Sequence, residues 1–243
     1  MSTTNISTHV SPTIRPENIT GLPGYNEQTK GYVSSSVNAL KIATTAIDDT
    51  IKARLAVNAD PSRNPKAKVL AVADYAEKQD SQLQKLFEKT ADDLLKRIAH
   101  KESELSKPVE EFAGIGHVAS EIRNHLKNTD RDKRMAFLNE ALESGDDKTL
   151  KSILGAPSYL SGLTDLEHKH YTKLFHQKAN PEIAAQINLM SGALDKLKNA
   201  HKVIRKQFDE AIGANAVEVA KLRAANSAAE EALAVKNLLG MEE

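Results

Sequence analysis

The chain has 243 residues, enough to bury a sizeable core in one domain or two. Its 33 Lys and Arg residues balance its 33 Asp and Glu residues, and only 4% of its residues are aromatic, which argues against a specific nucleic-acid binder. The sequence contains no Cys, which excludes disulfides, thiol catalysis and zinc sites with Cys ligands.

Residues 1–33 are rich in Ser, Thr, Asn and Gly and contain three prolines. Proline removes a backbone donor and restricts the residue before it, so this composition predicts neither a helix nor a central strand. We therefore predict an extended polar arm over residues 1–33 whose loss leaves the rest folded but weakens assembly. The candidate contacts of the arm with a neighbouring subunit are Pro12, Pro16, Pro23 and Tyr25.

From Ser34 onward, apolar residues recur at helical spacing and no run alternates as a strand does. The sequence predicts an α-helical body over residues 34–243, with a long helical hairpin at 34–107, a region of short helices at 108–179 and long C-terminal helices at 180–243. Local stop and cap signals place the helix ends in the middle region: Gly145, Asp146 or Asp147, Gly155 and the capping box Thr164–Glu167.

The clearest pattern is an apolar seam in which residues alternate in steps of four and three. Its members are Ile183, Ile187, Met190, Leu194, Leu197, His201, Ile204, Phe208 and Ala211. This spacing predicts one long helix whose apolar stripe is covered by other helices. No acidic flanking residue is placed to meet the basic Lys198 and Arg205, so packing within a bundle is favoured over a free-standing dimeric rod.

Two features depart from a regular apolar seam: a histidine within it and a glycine just beyond it. His201 is interpreted either as a pH-sensitive contact or as a hydrogen-bonded or partly exposed side chain. Beyond Gly213 the apolar positions shift by one residue, which predicts a kink or break before a last helix. Together these elements predict an all-α fold: an elongated helical bundle with long coiled-coil-like helices and an extended N-terminal arm.

Candidate catalytic and metal sites are weak. Glu167 and His170 have the spacing of half of a di-iron site, but the second half is missing, so a solvated helix is favoured for this segment with His168 and His176. We predict no catalytic residue, no metal and no cofactor. A basic cluster that alternates with acidic residues is typical of a solvated face, and its members are Lys127, Arg131, Lys133 and Arg134.

No window approaches the ~20 apolar residues of a membrane span. The N-terminal residues also lack the basic and apolar regions of a secretory signal. We therefore expect synthesis in a cytoplasm and no membrane-spanning segment.

Residues 143–164 contain a Gly-Asp pair before a short helix, then Gly-Ala-Pro, an aromatic residue and Leu-Ser-Gly-Leu-Thr before a new helix. This order resembles a pattern in small helical proteins encoded by tailed bacteriophages and prophages. The resemblance covers about a tenth of the chain and implies a virion-associated or morphogenetic role.

The resulting functional hypothesis is a non-enzymatic structural component of a tailed-phage virion, made in the host cytoplasm. It would be capsid- or neck-associated, internal or ejected, and would act in several copies through contacts with itself and other virion proteins. The alternatives are a phage scaffolding protein, a host-directed helical adaptor or regulator, and a helical-bundle metalloprotein.

Overall fold

The computed structural model describes residues 10–110 and 116–233, and these ranges contain nine α-helices and no strand. The predicted all-α class is confirmed. Two short 3-10 turns span Pro12–Ile14 and Ser158–Leu160. The α-helices are α1 (Glu17–Thr20), α2 (Lys30–Ala59), α3 (Pro65–Glu104), α4 (Gly116–Lys127), α5 (Arg131–Ser144), α6 (Asp147–Leu154), α7 (Asp165–Ala179), α8 (Pro181–Ile212) and α9 (Ala216–Leu233).

The chain forms two compact units, and both boundaries between them fall inside helices. The first unit comprises Met1–Leu94 and Gly192–Glu243, and the second comprises Leu95–Ser191. This division differs from the predicted one at residues 107 and 179, because the loops there end helices without ending the packing. Within the second unit, for example, Lys173 pairs with Glu102 at 2.8 Å across the predicted boundary at residue 107.

The core of the first unit comes from the apolar faces of three long helices. Each helix repeats its buried residues at intervals of three and four, the spacing that lines one face of an α-helix. The largest buried side chains are Leu40 and Ile47 of α2, Leu83, Phe87 and Leu94 of α3, and Leu197, Ile204 and Phe208 of α8.

The N-terminal segment corrects the predicted extended arm, because its described part is folded against the first unit. Ile14 and Ile19 are fully buried, and α2 begins at Lys30, before the predicted limit at residue 33. Pro12 opens the 3-10 turn and Pro16 directly precedes α1. At a helix start the missing proline N–H costs no hydrogen bond, so these prolines begin helical turns instead of preventing them. Residues 1–9 of the predicted arm lie outside the described ranges.

The core of the second unit is built by α4 to α7. Its buried cluster includes Leu126, Leu138, Leu150, Ile153, Tyr171 and Phe175. The hydroxyl of Tyr171 donates to Asn139 Oδ1 at 3.0 Å, which satisfies the polar end of a ring that is otherwise buried.

The predicted local signals for helix ends are confirmed. Gly145 follows α5 with φ 73°, and the Asp146 carboxylate accepts from the Thr149 amide to cap α6. Thr164 and Glu167 form the expected capping box of α7. Gly213 follows α8 with φ 79°, so the predicted break before the last helix is present.

Candidate functional site

The four residues predicted as arm contacts differ in exposure. Pro12 and Pro23 are exposed, whereas Pro16 and Tyr25 are half-buried. The segment is fixed to its own unit by the Ser11 amide, which donates to Gln207 Oε1 at 2.6 Å. Contacts between these four residues and a neighbouring subunit stay a prediction. Any such contact would be made by a segment that is already folded against its own unit.

The predicted seam is buried along most of its length. Ile183 is half-buried and His201 is exposed, whereas the remaining members lie inside: Ile187, Met190, Leu194, Leu197, Ile204, Phe208 and Ala211. The His201 ring contacts the edge of Phe87, with the ring centroids 6.0 Å apart. Ala193 and Ala200, which flank the seam on one side, are also buried, whereas His201 lies on the other side of the buried face and is exposed.

The histidines near Glu167 serve separate local contacts. Nε2 of His168 lies 3.0 Å from the Leu154 carbonyl oxygen, and Nε2 of His176 lies 2.8 Å from that of Lys107. Glu167 accepts from the Thr164 amide and from Arg131 Nε. Within residues 10–110 and 116–233, no three His, Asp or Glu side chains come together as metal ligands.

The first unit contains a charged cleft of about 390 Å³ between α3, α8 and α9. On its floor, Arg205 Nη1 of α8 donates to Asp80 Oδ2 of α3 at 3.2 Å, and Asp80 is buried. Arg205 Nε also lies 3.5 Å from Asp209 Oδ1. One guanidinium therefore faces two carboxylates, and most of the other side chains that line the cleft are apolar.

This cleft was not predicted from the sequence, although a signal was present. Ala73, Ala76, Asp80, Leu83 and Phe87 are spaced by three and four residues, so Asp80 occupies an apolar stripe of α3. A carboxylate in such a stripe indicates a buried ion pair, because an unpaired buried charge is strongly destabilising. The partner, Arg205, is distant in sequence and could not be assigned.

Asp209 is the less well compensated of the two carboxylates. Its Oδ1 atom is buried and makes no hydrogen bond among the described residues. Burial raises the pKa of Asp209 above its ordinary value; nearby Arg205 opposes this change, and Asp80 reinforces it. The folded protein therefore favours the protonated form of Asp209 more than the unfolded chain does.

We predict that Asp209→Asn stabilises the first unit at neutral pH by about 1 kcal/mol, because it removes a poorly paired charge. A raised folded-state pKa gives stability that is fully present below the unfolded pKa and is lost as pH rises through the folded pKa. The advantage of the variant should therefore shrink as the pH falls toward about 4. The measurement is chemical denaturation between neutral and mildly acidic pH, with Asp195→Asn, an exposed position on α8, as the control.

The junction between α8 and α9 is fixed by one arginine. Arg54 Nη1 of α2 lies 3.4 Å from the carbonyl oxygens of Glu210 and Ala211, at the C-terminal end of α8. A cation is favourable there because the last carbonyl groups carry partial negative charge. Gly213 has φ 79°, a conformation that favours glycine, and a Cβ there would lie 2.1 Å from Arg54 Nη2, so a side chain would also displace the guanidinium.

Helix α9 exposes an unusual amount of apolar surface. Eleven of its 18 residues are Ala, Val or Leu, yet Val219 is its only buried residue. Val217 is 64% exposed and Leu233 is 81% exposed. Besides Val219, Arg223 fixes α9 to α3, since its Nη2 donates to Asp74 at 2.5 Å and to Glu77 at 2.6 Å. A helix that is apolar on several faces is normally covered, so α9 is a candidate interaction surface.

Arg134 organises a second candidate surface, in the second unit. Its Nε donates to the Leu126 carbonyl at 3.0 Å, its Nη2 to that of Thr129 at 2.8 Å, and its Nη1 to that of Gly162. Arg134 is half-buried, whereas the charge alternation predicts that it lies on a solvated face. The difference arises because Arg134 donates to backbone carbonyl groups at and just beyond the end of α4, and to that of Gly162.

The loop fixed by Arg134 and the first turn of α7 each present one large apolar side chain to solvent. Tyr159 is 66% exposed and Leu166 is 80% exposed. The Ser158 hydroxyl donates to Asp165 Oδ1 at 2.6 Å, which holds the residues preceding Tyr159 and Leu166 together. Tyr is enriched among the residues that dominate binding energy at protein interfaces, so Tyr159 with its neighbour Leu166 is a candidate contact with another protein.

We predict that Arg134→Met destabilises the second unit by about 2–3 kcal/mol, because three carbonyl groups lose a charged donor. Lys133→Met is the matched control, since Lys133 is exposed on the same helix. Thermal denaturation of both variants gives the measurement. Equal melting curves for the two variants would show that Arg134 has no organising role.

No protein-family model matches the chain, and no curated protein or solved structure matches it. Within the described residues, no helix is both long and apolar enough to cross a membrane.

Proposed function

We propose that the chain is a non-enzymatic structural component of a tailed-phage particle and acts through contacts with other protein subunits. The observation that carries the proposal is the apolar exposure of α9, a helix with one buried residue among 18. Such a surface is costly to leave in water and is typical of an interface. The phage assignment rests on the resemblance of residues 143–164.

The interactions of the polar groups support a structural role over a catalytic one. Glu167 and His168 bind a helix start and backbone carbonyl groups, and Asp80 is paired with Arg205. These contacts stabilise the fold, so the three side chains have structural roles. The exposed Tyr159 and Leu166 add a second surface suited to a protein partner.

Mass spectrometry of purified particles tests the proposal. We expect the protein in mature particles, in several copies relative to a protein of known copy number. Presence only in immature particles would support a scaffolding protein instead. Absence from both, with recovery in a complex with host proteins, would support a host-directed adaptor.

A variant pair makes the test sharper. Leu166→Ser should reduce incorporation into particles without altering the melting temperature, because Leu166 is exposed and contributes little to the core. Lys169→Ser changes an exposed residue on the same helix and is the control. Equal incorporation of both variants would exclude this surface from assembly.

A further inference from the structure

Helix α9 carries one stripe that points away from its own unit. Successive residues of an α-helix are about 100° apart, so the residues opposite Val219 and Arg223 can be identified from the sequence. We call these residues the outer stripe: Val217, Lys221, Ala224, Ala228 and Glu231. All five are exposed, whereas Val219 is buried and Arg223 is bound to α3.

The outer stripe has the spacing and the order of a self-complementary helix pair. Its steps are four, three, four and three residues, the repeat with which two helices pack side by side. When two copies run antiparallel and the level of Asn226 is the midpoint of the pair, Ala224 of one copy lies opposite Ala228 of the other. In the same register Lys221 lies opposite Glu231, so opposite charges meet at both ends of the part of the stripe from Lys221 to Glu231.

The charge order selects this arrangement over a parallel one. A parallel pair in register would place Lys221 opposite Lys221 and Glu231 opposite Glu231, and like charges repel. The alanines at the centre let the two helix axes approach to about 8 Å. An unrelated partner would not require the two halves of the stripe to be complementary to each other, whereas a second copy does.

We propose that two copies of this chain associate through the outer stripe of α9, packed antiparallel around a two-fold axis. This inference rests on the proposed role in assembly and identifies one of its contacts. The balanced charge of the chain, 33 basic and 33 acidic residues, imposes no net repulsion between copies. Because a single pair of alanine-rich helices is a small interface, the association should depend on concentration.

Sedimentation velocity of the full chain over a wide range of concentration tests the proposal. We expect a monomer–dimer equilibrium. Lys221→Glu and Glu231→Lys should each weaken dimerisation by about tenfold or more, because each variant places like charges together twice. The double variant Lys221→Glu/Glu231→Lys should restore it. A double variant as weak as the single variants would overturn the antiparallel register.

Two adjacent alanines supply a matched control. Ala228→Glu lies on the outer stripe and should abolish dimerisation, whereas Ala229→Glu lies beside it, in a groove between α9 and the start of α3, and should not. Both positions are exposed and Glu is a good helix former, so both variants should fold. Equal loss in both would overturn the assignment to the stripe.

A wild-type chain that stays monomeric at every concentration would overturn the proposal outright. That result would not remove the chain from the virion, which mass spectrometry of particles decides separately. Conversely, dimerisation by a chain that is absent from particles would support this inference and reject the proposed function.

Discussion

Leu197→Asp is expected to lower the stability of the first unit by about 5 kcal/mol or more, enough to unfold an ordinary domain. Leu197 is 1% exposed in the middle of α8, where a carboxylate would lack both water and a basic partner. Leu194→Asp should act in the same direction, since Leu194 is 6% exposed. Thermal denaturation followed by far-UV circular dichroism gives the measurement.

The matched control for these substitutions is Asn199→Asp. Asn199 lies on the same helix but is exposed, so the variant adds the same charge without burying it. We expect it to melt close to the parent protein. If Leu194→Asp and Leu197→Asp also melted like the parent, the seam would not be a buried surface in solution.

Helix ends could be predicted from the sequence because their causes are local. The capping box of α7 needs only Thr164 and Glu167, three residues apart. Gly145 and Gly213 end α5 and α8 because each adopts a positive φ that other residues avoid. These signals depend on neighbours along the chain, so folding does not change them.

The seam was predicted less completely, because burial depends on how a helix lies against its neighbours. The alternating steps identified Leu194, Leu197 and Ile204 correctly as buried residues. They also include His201, which is exposed, in agreement with the interpretation as a partly exposed side chain. A periodic pattern defines a stripe, but the contact with other helices decides which edge of it is covered.

Contacts between distant residues lay beyond sequence analysis. The pair Asp80–Arg205 joins residues 125 positions apart, and Arg134 reaches Gly162 across 28 positions. Charge alternation around Arg134 predicts a solvated face because it records sequence neighbours only. The outer stripe of α9 could be read as a periodic pattern, but its exposure became known only when the structure showed what α9 contacts.

Polar composition likewise concealed the core contribution of the N-terminal segment. Few of its residues are apolar, but Ile14 and Ile19 are fully buried against the first unit. The Thr44 hydroxyl also lies 3.4 Å from the Ile14 carbonyl oxygen, beside α2. The deletion of residues 1–33 therefore has a different expected outcome from the one that composition predicts.

Ile19→Ala is expected to lower the stability of the first unit by about 3–4 kcal/mol, the usual cost of a cavity left by a buried Ile. Ile14→Ala should have a similar effect. Deletion of residues 1–29 should be more damaging than either, because it removes both side chains and the Ser11–Gln207 hydrogen bond. Thermal denaturation of the three variants gives the measurement, with Thr13→Ala as a control at an exposed neighbour. A deletion variant that melts like the parent would show that the segment is an arm after all, free to contact another subunit.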